Sequence, residues 1–197
     1  WMAVAATGLA VALGLGAARA AQSAGRRLGG LLEWLIAIPW AIPGTAFAFA
    51  LATTWAVHEP RALRFLLVGT PWLLPLAYTA RALPLTGQAS LAALRRLDPA
   101  LDEAAAVLGA GPWRRFARVT LPAIAPAVAA GASLAFLAAL GDFVLSVILY
   151  TYETRPISIE ILSSLRLQET GVAAVYGVLL AVASAVAFLL FGRERER

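Results

Sequence analysis

Charged residues leave three long gaps in this chain: 34–57, 119–141 and 170–192 each run 23 or 24 residues without one. About 20 consecutive apolar residues cross the hydrocarbon core of a bilayer. A helix satisfies its own backbone in lipid, whereas an open strand does not. The pattern therefore predicts an all-α, polytopic membrane helix bundle. Five spans are read: Trp1–Ala18, Trp34–Val57, Phe65–Ala80, Thr120 to about Leu149, and Val172–Phe191. Together they make a single transmembrane domain over residues 1–197. One charged, regularly patterned segment at about 85–120 stays outside the membrane.

Two of the spans are irregular. The second contains IPWAIPG, where Pro39 and Pro43 each remove a backbone donor and Gly44 follows. The third is only 16 residues long between Arg64 and Arg81 and holds Pro71 and Pro75. Interrupted spans either line a substrate route, where freed carbonyls meet a cavity, or are packing kinks. The fourth span carries Ala127, Gly131, Ala135 and Ala139 on one face, and the fifth repeats the device with Gly177, Ala181 and Ala185. Small residues at this spacing let helices approach closely in lipid. Asp142 is the charge placed well inside a span, toward its outer end. It is read either as a pathway or gate residue, together with Pro39, Pro43 and Gly44, or as a structural hydrogen-bonding group.

Composition and charge sharpen this picture. Only 14% of the residues are charged and 61% are hydrophobic, with a mean hydropathy of +0.79. A soluble domain carries about a quarter charged residues, so too little polar surface remains to cover a water-facing globule. The net charge is +5, and all sixteen basic residues are arginine. Twelve of them fall in the 19–33 loop, the 81–118 segment and the C-terminus, against Arg61, Arg64, Arg155 and Arg166 elsewhere. This bias predicts an outside N-terminus, a cytoplasmic 81–118 segment and a cytoplasmic C-terminus. The basic excess is thus a matter of topology, and no nucleic-acid partner is expected. Cysteine is absent, which excludes disulfide and thiolate chemistry. The chain opens on Trp-Met inside an apolar run, with no basic leader region, and reads as a fragment or one half of a longer polypeptide.

The segment outside the membrane has its own punctuation. Asp98-Pro99 reads as an N-cap followed by proline at the first helical position. Asp102 and Glu103 then lie near the positive end of the helix dipole. The run from Ala104 to Leu108 favours helix, and Gly109 closes it. Gly111-Pro112 opens a second short helix, with Trp113 and Phe116 on one face. The expectation is two short helices along the cytoplasmic face, joined by a glycine turn.

At these residues the chain resembles permease subunits of binding-protein-dependent ABC importers. The resemblance is carried by Glu103-Ala104-Ala105, then Gly109, then Val119-Thr120-Leu121-Pro122, and covers essentially the whole chain. It implies that Glu103, Ala104, Ala105, Gly109, Leu121 and Pro122 belong to the ATPase-coupling segment. It also implies a cytoplasmic ABC ATPase dimer, a second permease half or homologous subunit, an external substrate-binding protein and membrane lipid as partners, in a bacterial inner membrane. A phosphate-binding Walker A loop requires lysine, and the chain has none. ATP and Mg are therefore expected in the partner ATPase, and this subunit is expected to bind no cofactor and to be no enzyme.

Cargo is a separate question. IPWAIPGTAFAFALA resembles the second core span of ferric-iron, thiamine and polyamine importer permeases. The stretch from Gly141 to Arg166, with Arg155-Pro156-Ile157-Ser158, looks most like the ferric-iron group, in which two homologous halves are often fused. Ferric iron is the expected cargo, with thiamine, polyamine or sugar as alternatives. No metal site is expected on the chain, because the lone His58 has no ligand cluster. Tyr150, Tyr152 and Arg155 read as an outer interface belt. The rival class is an intramembrane serine protease, suggested by Gly131-Ala132-Ser133 but lacking a base near Ser133.

Overall fold

The computed structural model describes residues 1–56 and 69–192. These residues fold into an all-α bundle with no strand among them, only an isolated bridge between Thr151 and Thr154. The helices are α1 (Met2–Ser23), α2 (Arg26–Ala41), α3 (Gly44–Ala56), α4 (Leu73–Arg96) and α5 (Pro99–Val107). They continue as α6 (Pro112–Arg115), a π turn (Phe116–Thr120), α7 (Leu121–Leu140), α8 (Val144–Leu149), α9 (Ile157–Arg166) and α10 (Thr170–Gly192). His58, Arg61, Arg64 and the predicted start of the third span at Phe65 lie outside the described residues, as do Arg193, Arg195 and Arg197.

Helix α4 is the axis of the bundle, with α1 and α7 packed along it. Small side chains set how closely they approach. Ala10, Ala82 and Ala135 meet in a narrow waist. Above it a larger core gathers Leu74, Tyr78 and Leu145, and below it Leu91, Leu94 and Ile124 close the other end. Two hydroxyls in this interior turn to backbone carbonyls: Thr86 Oγ1 donates to Ala10 O at 2.7 Å and Ser90 Oγ to Thr86 O at 2.7 Å. A polar group left alone here would carry the full desolvation penalty. Helices α1 and α4 run parallel, since Thr79 meets Ala6 while Gln22 Nε2 donates to Leu94 O at 3.0 Å.

The two ends of the bundle differ in chemistry. At one, Trp1 and Trp72 stack edge to face with centroids 5.9 Å apart. At the other, Arg19 lies over the Phe116 ring and Arg95 pairs with Glu33. Arginines gather at this second end, alongside the Trp113 and Phe116 rings.

Three boundaries depart from the sequence expectation. The third span does not stop at Ala80: α4 runs on through Arg81 and Pro84 to Arg96, so the elbow starts at Leu97 rather than near residue 85. Burial explains this, because Ala82, Thr86, Ser90 and Leu94 stay covered along its length. The fourth span ends at Leu140, with the chain breaking at 141–143 before α8 instead of running to Leu149. The second elbow helix is not separate, since α6, the π turn and α7 form one 29-residue helical run from Pro112 to Leu140. Pro122 removes the amide that would return to Arg118, and the wider π turn sits just before it. Among the described residues the Gly177, Ala181 and Ala185 stripe finds no close neighbour: Ala181 and Ala185 are exposed, and a Cβ on Gly177 would meet nothing within 4 Å.

Candidate functional site

The elbow is built as its punctuation dictates. Asp98 Oδ1 accepts the Ala100 amide at 2.9 Å, with Pro99 opening α5. At the far end Gly109 takes φ +79°. Its amide donates to Ala106 O at 2.9 Å and the Ala110 amide to Ala105 O at 3.0 Å, the paired bonds of a Schellman closure. Arg115 Nη1 then bonds Asp102 Oδ2 at 3.0 Å, tying α5 to the start of the next helix.

No residue of α5 is buried. Val107 is 88% exposed and Leu108 86%, with Trp113 beyond the turn at 77%. Glu103 and Ala104 are also exposed, and Ala105 is half-buried. Beneath α5 a cavity of about 360 Å³ is lined by Arg19, Gln22, Asp98, Asp102, Glu103 and Thr120, among others. A short, rigid helix with apolar residues and one acid on its open face is a surface suited to docking. Leu121 and Pro122 lie apart from it, in the first turn of α7.

A second polar locus sits among the helices, where two breaks meet. Helices α2 and α3 bend by 100° at Ile42-Pro43. Arg81 Nη1 donates to Pro39 O and Ile42 O, both at 3.0 Å, and Trp40 Nε1 donates to Arg81 O at 3.0 Å. A Cβ on Gly44 would sit 3.2 Å from Val144 Cγ1, so this break touches α8 directly. Asp142 stands at the other break, where Oδ1 accepts the Leu145 amide at 2.7 Å and O accepts Ser158 Oγ at 3.0 Å. Tyr78 and Ser146 share a 2.6 Å hydrogen bond beside it. Asp142, Arg81, Tyr78 and Trp40 line one cavity of about 110 Å³.

The site thus has two parts, an exposed elbow and a polar interior locus where two helix breaks meet. The sequence family described as "Binding-protein-dependent transport system inner membrane component" matches residues 10–193. The chain belongs to this family. As a member of it, the chain is a multi-pass inner membrane component.

It is 35% identical over 130 residues to the probable ABC transporter permease y4fN of Sinorhizobium fredii, covering 66% of this chain and 23% of that protein. It is 33% identical over 118 residues to the sulfate transport permease CysT of Escherichia coli, covering 57% of this chain and 43% of that one. The ferric transport permease FbpB of Actinobacillus pleuropneumoniae is 29% identical over 162 residues, covering 81% of this chain and 23% of that protein. The chain spans less than half the length of each of these relatives. A bacterial importer of the polysaccharide alginate shares the fold, with a TM-score of 0.74 and 21% identity over 100% of this chain and 77% of that one.

Within this family member, the structure gathers Pro39, Pro43, Gly44 and Asp142, which were separate candidates in the sequence. It does so through Arg81, a residue the charge count placed in a cytoplasmic loop. The signal was present, since the apolar pattern resumes after Arg81 and reaches Leu94. Removing Arg81 from the loop count leaves eleven arginines against four, so the bias stands.

Ser133 has a different story. Its hydroxyl donates to Ala130 O at 2.8 Å within its own helix, and among the described residues it has no bond to a base of the kind a nucleophile needs. Ser133→Ala should leave uptake by the assembled permease at the unsubstituted level. Abolished activity would revive the protease reading.

Proposed function

We propose that the chain forms one side of an importer's translocation pathway, working with a second permease half. In this reading α5 seats in a cytoplasmic ATPase pair, with Glu103, Ala104, Ala105 and Gly109 at the contact. Helix α4 leads into α5 through Leu97 alone, because Asp98 already caps the next helix. Movement of the elbow therefore passes directly to the bundle axis. ATP and Mg act in the partner, and the N-terminus of this segment faces outside. The exposed α5, closed by a left-handed glycine, carries the proposal.

Ferric iron is the proposed cargo. It rests on the resemblance of Gly141–Arg166 to ferric-iron permeases, with FbpB among the similar proteins. Among the described residues no group of three or more His, Cys, Asp or Glu gathers as a metal site. An external binding protein would then select the metal, and the pathway would only pass it. An oxyanion is the second reading, favoured by the similarity to the sulfate permease CysT.

The test is uptake into vesicles holding the permease, its ATPase and its binding protein. Ferric ion, sulfate, molybdate and thiamine are offered separately, with and without ATP. ATP-dependent entry of iron alone supports the proposal. Entry of sulfate or molybdate instead replaces the cargo and keeps the machine, while ATP-independent entry overturns the machine.

A further inference from the structure

Pro43 has no amide, so the Pro39 carbonyl four residues earlier loses its helical partner. Ile42 is extended at φ −89° and ψ 128°, which carries its carbonyl off the helical ladder. Two bare carbonyls therefore face each other at the α2–α3 break, in a setting where lipid offers no donor. Both accept from the same nitrogen, Arg81 Nη1. Trp40, between them in sequence, returns a bond to the Arg81 carbonyl.

We infer that Arg81 is a positioning residue that holds the α2–α3 break at its bend and pins it to α4, the helix that continues into the elbow. Contacts along its length stitch α2 to α4, among them Arg95 with Glu33 at the elbow end, Ile36 against Gly87 in the middle, and Arg81 with Pro39 and Ile42 at the break. Arg81 holds the end farthest from the elbow. A shift of α4 then drags the break, and through the Gly44–Val144 contact reaches α8 and the Asp142 break. The planar guanidinium suits this role, because one nitrogen presents two donors in fixed directions whereas a lysine ammonium rotates. The consequence for uptake rests on the transport reading above, but the geometry does not.

The chain contains no cysteine, so spin labels can be placed without background. Leu31 and Phe49 are exposed on α2 and α3 and would report the bend when each is replaced by a labelled cysteine. The unsubstituted break should give one narrow distance distribution, and Arg81→Gln should broaden it. Adding Pro43→Ala, which returns an amide to the Pro39 carbonyl, should narrow it again. An unchanged distribution in folded, monodisperse Arg81→Gln overturns the inference. Should that variant not fold, Arg81→Lys replaces it, keeping the charge without the fork. A broadened distribution then supports the inference and the unsubstituted distribution overturns it.

In the assembled permease, Arg81→Gln should lose uptake severalfold while the ATPase still co-purifies. Unimpaired uptake would overturn the link to transport. If the unsubstituted assembly moves no cargo, the transport proposal fails instead, and the spin-label distances still judge Arg81.

Discussion

Glu103→Arg combined with Gly109→Val should strip the ATPase from the purified assembly and abolish most uptake. Gly109 sits at φ +79° with open space around it, so an added side chain meets no neighbour. The penalty is in the backbone alone. A residue with a Cβ in this left-handed region costs about 1–2 kcal/mol, and where the free elbow escapes that strain, restoring the turn on docking weakens binding by roughly tenfold. If the turn relaxes instead, α5 loses its angle to the next helix, and the exposed Val107 and Leu108 move with it. Glu103 adds a charge term, since it lines the cavity under α5 with Asp98, Asp102 and Arg19. Gly111→Ala is the control. Gly111 also faces open space, but at φ −65°, so alanine there should leave the ATPase bound. Co-purification on an affinity tag, followed by uptake, reads both. Retention of the ATPase by the double variant would remove the coupling role from α5.

Gly14→Val and Gly131→Val should each strongly destabilise the folded permease, whereas Gly16→Ala should be tolerated. A Cβ on Gly14 would lie 2.8 Å from Gly87 N and closer still to Thr86 Oγ1. On Gly131 it would lie 2.9 Å from Ala89 Cβ and 3.1 Å from Leu85 O. The listening surface in both cases is α4, whose backbone cannot retreat without opening the opposite side. Overpacking of this kind typically costs 1–3 kcal/mol, about that scale per site here, and valine adds two methyls beyond the Cβ. Gly16 sits in the same helix as Gly14 and meets nothing within 4 Å. Alanine there should even stabilise the helix by about 0.5–1 kcal/mol. Size-exclusion profiles and melting temperatures in detergent separate the three variants. Equal behaviour of Gly14→Val and Gly16→Ala would mean that the α1–α4 approach is looser than the structure shows.

Much of the elbow could be read from residue types in order. Asp98-Pro99 gives a cap and a first helical position by local chemistry, and Gly109 provides the left-handed closure. Both came out as read, because each depends on neighbours within five residues. The Gly131, Ala135 and Ala139 stripe was legible for a similar reason, since helical spacing fixes which residues share a face. The equivalent stripe on α10 stays exposed among the described residues. Spacing reveals that a smooth face exists, but not whether a neighbour arrives to use it.

The interior locus was legible only in pieces. Pro39 and Pro43 announced a break, and Asp142 stood out as a charge in a span. Nothing local to either stretch indicates that Arg81, some forty residues beyond the prolines, supplies the missing donors. An arginine among leucines reads as the end of a span, because burial of a bare guanidinium is prohibitive. Two free carbonyls remove that objection, and they belong to a different helix.

Charge gaps, the arginine bias and the caps were thus determined by sequence alone, since lipid and the peptide backbone act on each segment independently. The 100° bend, the length of α4 and the meeting of the two breaks were decided by tertiary structure. Each depends on a donor or a surface brought from elsewhere in the chain, and only packing determines which one arrives.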